Sequence, residues 1–90
     1  MDRTTLREAW VIVVEECGAN FKDGAAFIRY GLDHPDWTEW RFQGKLGFGG
    51  KLWNHNGKLY VAYYAEDETP ERYEMMQKAN KRLAELTSAG

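Results

Sequence analysis

Cations and aromatic rings are interleaved through the middle of the chain. The cations are Arg41, Lys45, Lys51 and Lys58. The aromatic residues among them are Trp40, Phe42, Phe48, Trp53 and Tyr60. Cations contact phosphates and aromatic rings stack on bases, so this composition is typical of proteins that bind nucleic acids. The same residues also have a structural explanation, because strand aromatics build cores and edge-strand lysines oppose aggregation.

Four glycines lie within residues 44–50, directly before Lys51. A phosphate-binding P-loop requires glycine five positions before its Gly-Lys pair and Ser or Thr after it, where this chain has Lys45 and Leu52. A dinucleotide fingerprint would also require glycine at Leu52, followed by a helix, whereas a strand pattern follows here. The GKLG at residues 44–47 matches the GxxG of a KH domain, but that loop joins two helices. A flexible turn or bulge is the favoured interpretation, and contact with an anion through exposed N–H groups stays open.

The residues that most often perform catalysis or bind metals are scattered. His34 and His55 lack an accompanying Cys, Asp or Glu at metal-ligand spacing. Cys17 lies on an apolar helical stripe, which predicts a buried and unreactive thiol. Glu15 and Glu16 are expected on a solvated helix face, and the acidic run at 66–68 is expected before a helix N-terminus. We therefore predict no catalytic residues, no metal site and no cofactor, and hence a protein that is not an enzyme.

Charge is segregated along the sequence. Residues 1–39 carry eight acidic and four basic side chains, residues 40–65 carry four basic and no acidic ones, and residues 66–90 carry six acidic and four basic ones. The three segments therefore carry −4, +4 and −2, which sum to the net charge of −2. A basic middle segment favours an acidic ligand, although the acidic flanks would repel a nucleic acid.

The composition is that of one globular domain. The chain has 90 residues, of which 43% are hydrophobic and 29% charged, so we expect a single domain over residues 1–90. Its only cysteine excludes an internal disulfide, and no apolar run approaches the length needed to span a bilayer. The N-terminus lacks the apolar core of a signal peptide, so a cytoplasmic location is expected, without a membrane partner.

Two helices are predicted in the first third of the chain. Thr5 and Glu8 match a capping box, and apolar residues then recur at helical spacing as far as Gly18, a natural C-terminal cap. Asp23 is the predicted N-cap of a second helix over residues 24–31. Its inward-facing residues would be Ala26, Phe27 and Tyr30.

A third helix is predicted near the C-terminus. Thr69 would cap it, and Pro70 would occupy the first helical position, where a missing N–H costs nothing. Its inward stripe would comprise Tyr73, Met76, Ala79 or Asn80, Leu83 and Leu86.

Three strands are predicted between the second and third helices, over residues 38–44, 51–55 and 58–65. Asn56-Gly57 separates the last two and is a strong signal for a two-residue hairpin turn. That turn would place His55 opposite Lys58, Trp53 opposite Tyr60 and Leu52 opposite Val61. One hairpin face would then carry Trp53, Tyr60, Ala62 and Tyr64, and the other Leu52, Leu59, Val61 and Tyr63. Both faces are apolar, and the sequence does not decide which one the helices cover.

Together these elements predict an α+β fold, in which two N-terminal helices and a C-terminal amphipathic helix pack on a three-stranded antiparallel meander. The predicted core comprises Trp10, Val13, Val14, Phe27, Phe42, Leu52, Val61, Met76 and Leu83.

Three motifs lie in the second half of the chain: RFQG at 41–44, LGFGGK at 46–51 and EDETPER at 66–72. With these motifs the sequence from Trp40 to Leu86 resembles a group of small uncharacterised proteins of bacteriophages and prophages. The resemblance implies no particular activity and no functional residues. It does imply that the protein acts by binding a host protein, as many small phage proteins do. Inhibitors of host defence such as anti-CRISPR proteins belong to this population. The resemblance also implies a location in the host cytoplasm.

The leading hypothesis is therefore a non-enzymatic protein-binding module whose partner is a host protein or protein complex. A nucleic-acid-binding protein using the hairpin of residues 40–64 is the alternative, an enzyme with scattered active-site residues is the third, and a homo-oligomer stays open. Because interface energy concentrates in Trp, Tyr and Arg, we predict one binding surface for either ligand. Its residues would be Trp37, Arg41, Lys51, Trp53, Lys58 and Tyr60.

Overall fold

The computed structural model describes residues 1–64 and 68–88, which form three α-helices and a three-stranded antiparallel sheet. The helices are α1 (Arg3–Cys17), α2 (Gly24–Asp33) and α3 (Pro70–Ser88), and the strands are β1 (Glu39–Gln43), β2 (Gly49–His55) and β3 (Lys58–Tyr63). The sheet order is β1-β2-β3. This architecture confirms the α+β prediction. Among the described residues no helix has the length and apolar character needed to cross a membrane.

Helix α1 begins two residues before the predicted capping box. The Asp2 carboxylate caps it by accepting a hydrogen bond from the Thr5 N–H at 2.8 Å, and this bond lowers the pKa of Asp2. The capping box at Thr5 was therefore the wrong start, because aspartate is the better cap and the earlier start lengthens the helix. Gly18 ends the helix as predicted, with a left-handed φ of 75°.

Helix α2 begins at Gly24 as predicted, but its N-terminal cap and its last residue differ from the prediction. A 3₁₀ turn over Phe21–Asp23, capped by the Asn20 side chain, runs directly into α2, so the Asp23 side chain caps nothing. The helix also passes through Gly31, where a Cβ would lie 2.8 Å from Leu6 Cδ2, so this glycine allows α1 and α2 to pack closely. Phe27 is buried as predicted, but Ala26 is exposed.

The β2–β3 hairpin has the predicted register. His55 lies opposite Lys58, Trp53 opposite Tyr60 and Leu52 opposite Val61. Asn56 and Gly57 adopt φ values of 54° and 89°, as a two-residue turn with left-handed residues requires. The strands differ from the predicted ranges by a few residues, since β2 begins at Gly49, and position 65 lies outside the described residues.

The core lies between one sheet face and the helices. Seven of the nine predicted core residues are buried, and the other two, Val14 and Met76, pack against the core while partly exposed. On the hairpin, the covered face is the one that carries Leu52, Leu59 and Val61. With the helices on this side, no helix or strand of the described residues covers the opposite face of the sheet.

Helix α3 also closes the free edge of β3. Thr69 Oγ1 accepts from the Arg72 N–H at 3.2 Å, which confirms the predicted N-cap. Further along, the Asn80 side chain accepts from the Val61 N–H at 2.6 Å and donates to the Val61 carbonyl at 3.0 Å. Asn80 thus supplies the pairing that a fourth strand would give, and it protects this edge from other chains.

We expect Asn80→Ala to lower the free energy of unfolding by about 1–3 kcal/mol, because both backbone groups of Val61 lose their partner. Urea unfolding would measure this loss. Gln77→Ala, at an exposed position of the same helix, is the matched control and should change stability by less than ~0.5 kcal/mol. Equal effects of the two substitutions would show that the Asn80 bonds do not support the sheet edge.

Candidate functional site

The uncovered face of the sheet is assembled from alternate residues of all three strands. Strand pairing sets Glu39, Trp53 and Tyr60 in one row and Arg41, Lys51 and Ala62 in the next. A third row consists of Gln43, Gly49 and Tyr64, whose N–H donates to the Gly49 carbonyl at 3.3 Å. We call these nine residues the outer sheet face.

A stacked aromatic pair is the main feature of this face. The rings of Trp53 and Tyr60 have centroids 6.3 Å apart and planes inclined by 16°, and Tyr60 is 42% exposed. The ammonium group of Lys51 lies 5.2 Å from the centroid of the Trp53 ring, within the range of a cation–π interaction. The three side chains support one another in positions where a ligand would meet them.

Glu39 adds an acidic group beside this cluster. Its Oε2 lies 3.0 Å from the Lys51 Nζ, as an ion pair without the alignment of a good hydrogen bond. A partly exposed pair of this kind contributes little to stability. Its effect on recognition is larger, since it neutralises the charge of Lys51 and leaves Arg41 as the cation on this part of the face that forms no ion pair with a described residue.

The structure brings together five of the six residues predicted to form the binding surface. Arg41, Lys51, Trp53 and Tyr60 belong to the outer sheet face, and Lys58, an exposed residue two positions before Tyr60, lies on the same side of β3.

Trp37 does not belong to this surface. It is only 3% exposed, and its ring packs edge-on against Phe27 with centroids 5.4 Å apart. The backbone N–H of Trp37 donates to the His34 carbonyl at 2.9 Å, and its backbone carbonyl accepts from Asn54 Nδ2 at 2.9 Å. The turn before Trp37 directs its side chain into the core, which corrects the prediction of a surface role.

Sequence reasoning did not include Glu39, Gln43 and Tyr64 in the site. The alternation of residues 38–44 already placed Glu39, Arg41 and Gln43 on a common face of one strand. Joining that face to Trp53 requires the register of β1 on β2, and this register depends on the connection between them.

That connection is a hydrogen-bonded turn, in agreement with the turn that the sequence favoured. Residues Lys45–Gly47 form a 3₁₀ turn in which Leu46 has a left-handed φ of 57°. The Gly44 N–H donates to the Phe48 carbonyl at 2.6 Å and the Phe48 N–H to the Lys45 carbonyl at 3.0 Å. Since the loop itself uses these N–H groups, they are not available to bind an anion.

Arg72 holds the connection against α3. Its Nε and Nη2 donate to the Leu46 carbonyl at 2.9 and 2.6 Å. The contact fixes the end of β1 relative to β2 and therefore the alignment of the outer sheet face.

The acidic pair of α1 has a structural role. Arg82 on α3 lies 2.8 Å from a Glu15 oxygen and 2.9 Å from a Glu16 oxygen, and both hydrogen bonds raise its pKa. The expectation of a merely solvated face was therefore incomplete, because these carboxylates join α1 to α3. Of the acidic run at 66–68, positions 66 and 67 lie outside the described residues.

Metal and nucleophile chemistry finds no support in the described part of the chain. No group of three or more His, Cys, Asp and Glu residues there is placed to hold a metal ion. Cys17 is fully buried, as predicted, and burial, reinforced by the charge of Glu16, raises the pKa of its thiol to about 12.

The buried thiol makes a testable contribution to the pH dependence of folding. The unfolded chain loses the Cys17 proton near the ordinary pKa of 9.0, whereas the folded chain keeps it to about 12. Stability should therefore fall as the pH rises above 9.0 and level off near 12. We expect the difference in unfolding free energy between the wild type and Cys17→Ala to shrink over that interval, as urea titrations at several pH values would measure. A constant difference would contradict the buried position of the thiol.

Comparisons of the chain with protein-family models, curated proteins and solved structures each found no match.

Proposed function

We propose that this protein is a non-enzymatic protein-binding module and that the outer sheet face is its interface. The observation that supports this proposal is the uncovered face with the Trp53–Tyr60 stack. Large, rigid aromatic side chains bordered by arginine are the residues in which interface energy concentrates. A partner that covers the stack would bury apolar area and lose little side-chain entropy, because the rings already hold one another.

The charges favour a protein over a nucleic acid. Glu39 neutralises Lys51, so the positive charge of this face comes from Arg41 and Lys58, which form no ion pair in the described ranges. Two phosphate contacts would give weak binding, lost at moderate salt. The Trp53 ring already contacts Tyr60 and Lys51, which reduces the area open to a stacking base.

The proposed partner is a host protein or protein complex, and an inhibitor of host defence of the anti-CRISPR kind is the more specific form of the proposal. It is supported by the resemblance of residues 40–86 to small phage proteins.

Co-purification from bacterial lysates tests the proposal. Wild-type protein should retain a partner, which mass spectrometry identifies and which is then purified for a direct binding measurement. The double variant Trp53→Ala/Tyr60→Ala should lose it. Tyr73→Ala is the matched control, because Tyr73 is a 45% exposed tyrosine on α3, away from the outer sheet face. Retention of the same partner by the double variant would contradict the assigned interface.

Nucleic-acid binding is the second candidate, favoured by the fact that Arg41, Lys45 and Lys58 form no ion pair with a described residue. Filter binding across a salt series tests it. For a true binder, the logarithm of the association constant should fall linearly with the logarithm of the salt concentration, with a slope of roughly −0.7 to −0.9 per phosphate contacted. Affinity unchanged by Lys51→Ala together with Lys58→Ala would exclude this role for the hairpin.

A further inference from the structure

A second exposed apolar feature lies between α1 and α2. Phe21, in the 3₁₀ turn before α2, is 69% exposed, more than any other large hydrophobic residue in the described ranges. It borders a hollow of about 380 Å³ whose apolar lining includes Val11, Ala25 and Ile28. Ala25 and Ile28 also line a second hollow of about 380 Å³. Because they share these two residues, the two hollows adjoin along α2, and together we call them the helical groove.

The floor of the helical groove is built by a close contact. A Cβ on Gly24 would lie 2.6 Å from Trp10 Cδ1, so the ring can lie directly beneath α2 because this residue is a glycine. The Trp10 Nε1 donates to the Asn20 carbonyl at 3.1 Å, which fixes the ring in place. The groove is therefore formed in advance and a ligand need not open it.

The cations of the N-terminal segment gather at this groove. Arg7 and Lys22 line the first hollow, and Arg3 and Arg29 line the second. These four are all the basic residues of a segment that carries eight acidic ones, and of those acids Asp33 alone lines either hollow. None of the four cations forms an ion pair with a described residue.

Two of these cations are placed at a local cost. Arg3 and Arg7 are four residues apart on α1, so they face the same side and repel one another. Arg3 also lies in the first turn of the helix, where the macrodipole disfavours positive charge and where the Asp2 cap is the neighbouring carboxylate. Like charges held close together on one helix face depart from favourable local electrostatics, and such departures are typical of binding sites.

We propose that the helical groove docks an amphipathic helix of a partner protein whose apolar stripe is flanked by acidic residues. The apolar groove suits a helix that inserts side chains spaced three and four residues apart. The unpaired cations at its rim would meet the flanking carboxylates, so complementary charge selects an acidic helix over a basic one. This surface is separate from the outer sheet face and does not depend on the function proposed for that face.

The probe is a pair of synthetic peptides of about 18 residues, long enough for a helix of roughly 27 Å. Both carry the same stripe of Leu and Phe, flanked by Glu in one peptide and by Lys in the other. Fluorescence anisotropy with fluorescein-labelled peptides should show the acidic peptide binding at least about tenfold more tightly than the basic one. Equal affinity of the two peptides would overturn the proposal.

Phe21→Ser locates the binding. This substitution should lower the affinity for the acidic peptide at least about tenfold, an effect typical of an interface anchor. It should leave the free energy of unfolding unchanged, because Phe21 is largely exposed. Tyr60→Ala, on the outer sheet face, is the control and should bind the peptide as the wild type does. Loss of peptide binding in Tyr60→Ala, with retention in Phe21→Ser, would place the site elsewhere and refute the assignment.

Two other occupants are distinguished in the same series. Sedimentation equilibrium would reveal a second copy of the chain as a dimer that Phe21→Ser dissociates. Flotation with vesicles of phosphatidylglycerol and phosphatidylcholine would reveal an anionic membrane. Either result, together with no preference for the acidic peptide, would overturn the proposed helix partner. The proposal is supported if the wild-type protein is monomeric, does not float with these vesicles and prefers the acidic peptide.

Discussion

Replacing Trp37 with alanine is expected to cost about 3–5 kcal/mol of folding free energy, the usual loss when a large buried aromatic side chain is removed. The indole is only 3% exposed and packs edge-on against Phe27, so its removal leaves a cavity between α2 and the start of β1. A domain of this size has roughly 5–13 kcal/mol of stability in total. The variant should therefore unfold at a much lower urea concentration.

Trp53→Ala is the matched comparison for that experiment. Trp53 lies partly exposed on the outer sheet face, where alanine removes the stack with Tyr60, an interaction of about 0.5–1.5 kcal/mol. Urea unfolding of both variants should separate two tryptophans that the sequence assigned to the same surface. Equal losses of stability would mean that Trp53 is also a core residue and that the sheet has no free aromatic face.

The second large effect concerns binding. In the double variant Trp53→Ala/Tyr60→Ala, we expect the affinity for the captured partner to fall at least about 100-fold, since two central aromatic residues each contribute about 2 kcal/mol or more at such interfaces. Circular dichroism should show an unchanged fold. Calorimetry with the purified partner measures the loss.

Lys51→Ala provides the graded control for that measurement. Because Lys51 is paired with Glu39, its removal also leaves that carboxylate uncompensated. We expect an intermediate loss of affinity, which Lys51→Arg should partly restore because arginine keeps the charge beside Trp53. If the Trp53→Ala/Tyr60→Ala variant binds the partner as well as the wild type does, the partner contacts another surface.

The features that were predictable from the sequence are those that neighbouring residues determine. The hairpin register follows from Asn56-Gly57, since two left-handed residues in a row leave few ways to join the strands. The end of α1 at Gly18 and the start of α3 at Thr69 depend likewise on local capping. Alternation along each strand also placed Trp53 and Tyr60 on one face and Leu52 and Val61 on the other.

The remaining features depend on contacts between distant parts of the chain. The outer face of β1 joins that of β2 through a loop whose Leu46 carbonyl is held by Arg72, 26 residues further along. Trp37 is buried because α2 presents Phe27 at that point, which no pattern around residue 37 indicates. Asn80 was one alternative for the inward stripe of the third helix, but no local pattern indicates that its amide pairs with the edge of β3. Phe21 belongs to no periodic stripe, so its exposure appears only in the fold.

Photo-crosslinking from the outer sheet face is the most direct test of the proposed interface. A benzoylphenylalanine at Gln43, an exposed position on the rim of this face, and one at Gln77, an exposed position on α3, are introduced in separate proteins and irradiated in the lysate. The proposed interface predicts a covalent adduct with one host protein from position 43, absent from position 77 and lost when Trp53 and Tyr60 are replaced by alanine. An adduct that forms from position 77 alone, or one from position 43 that survives the loss of both aromatic rings, would contradict it.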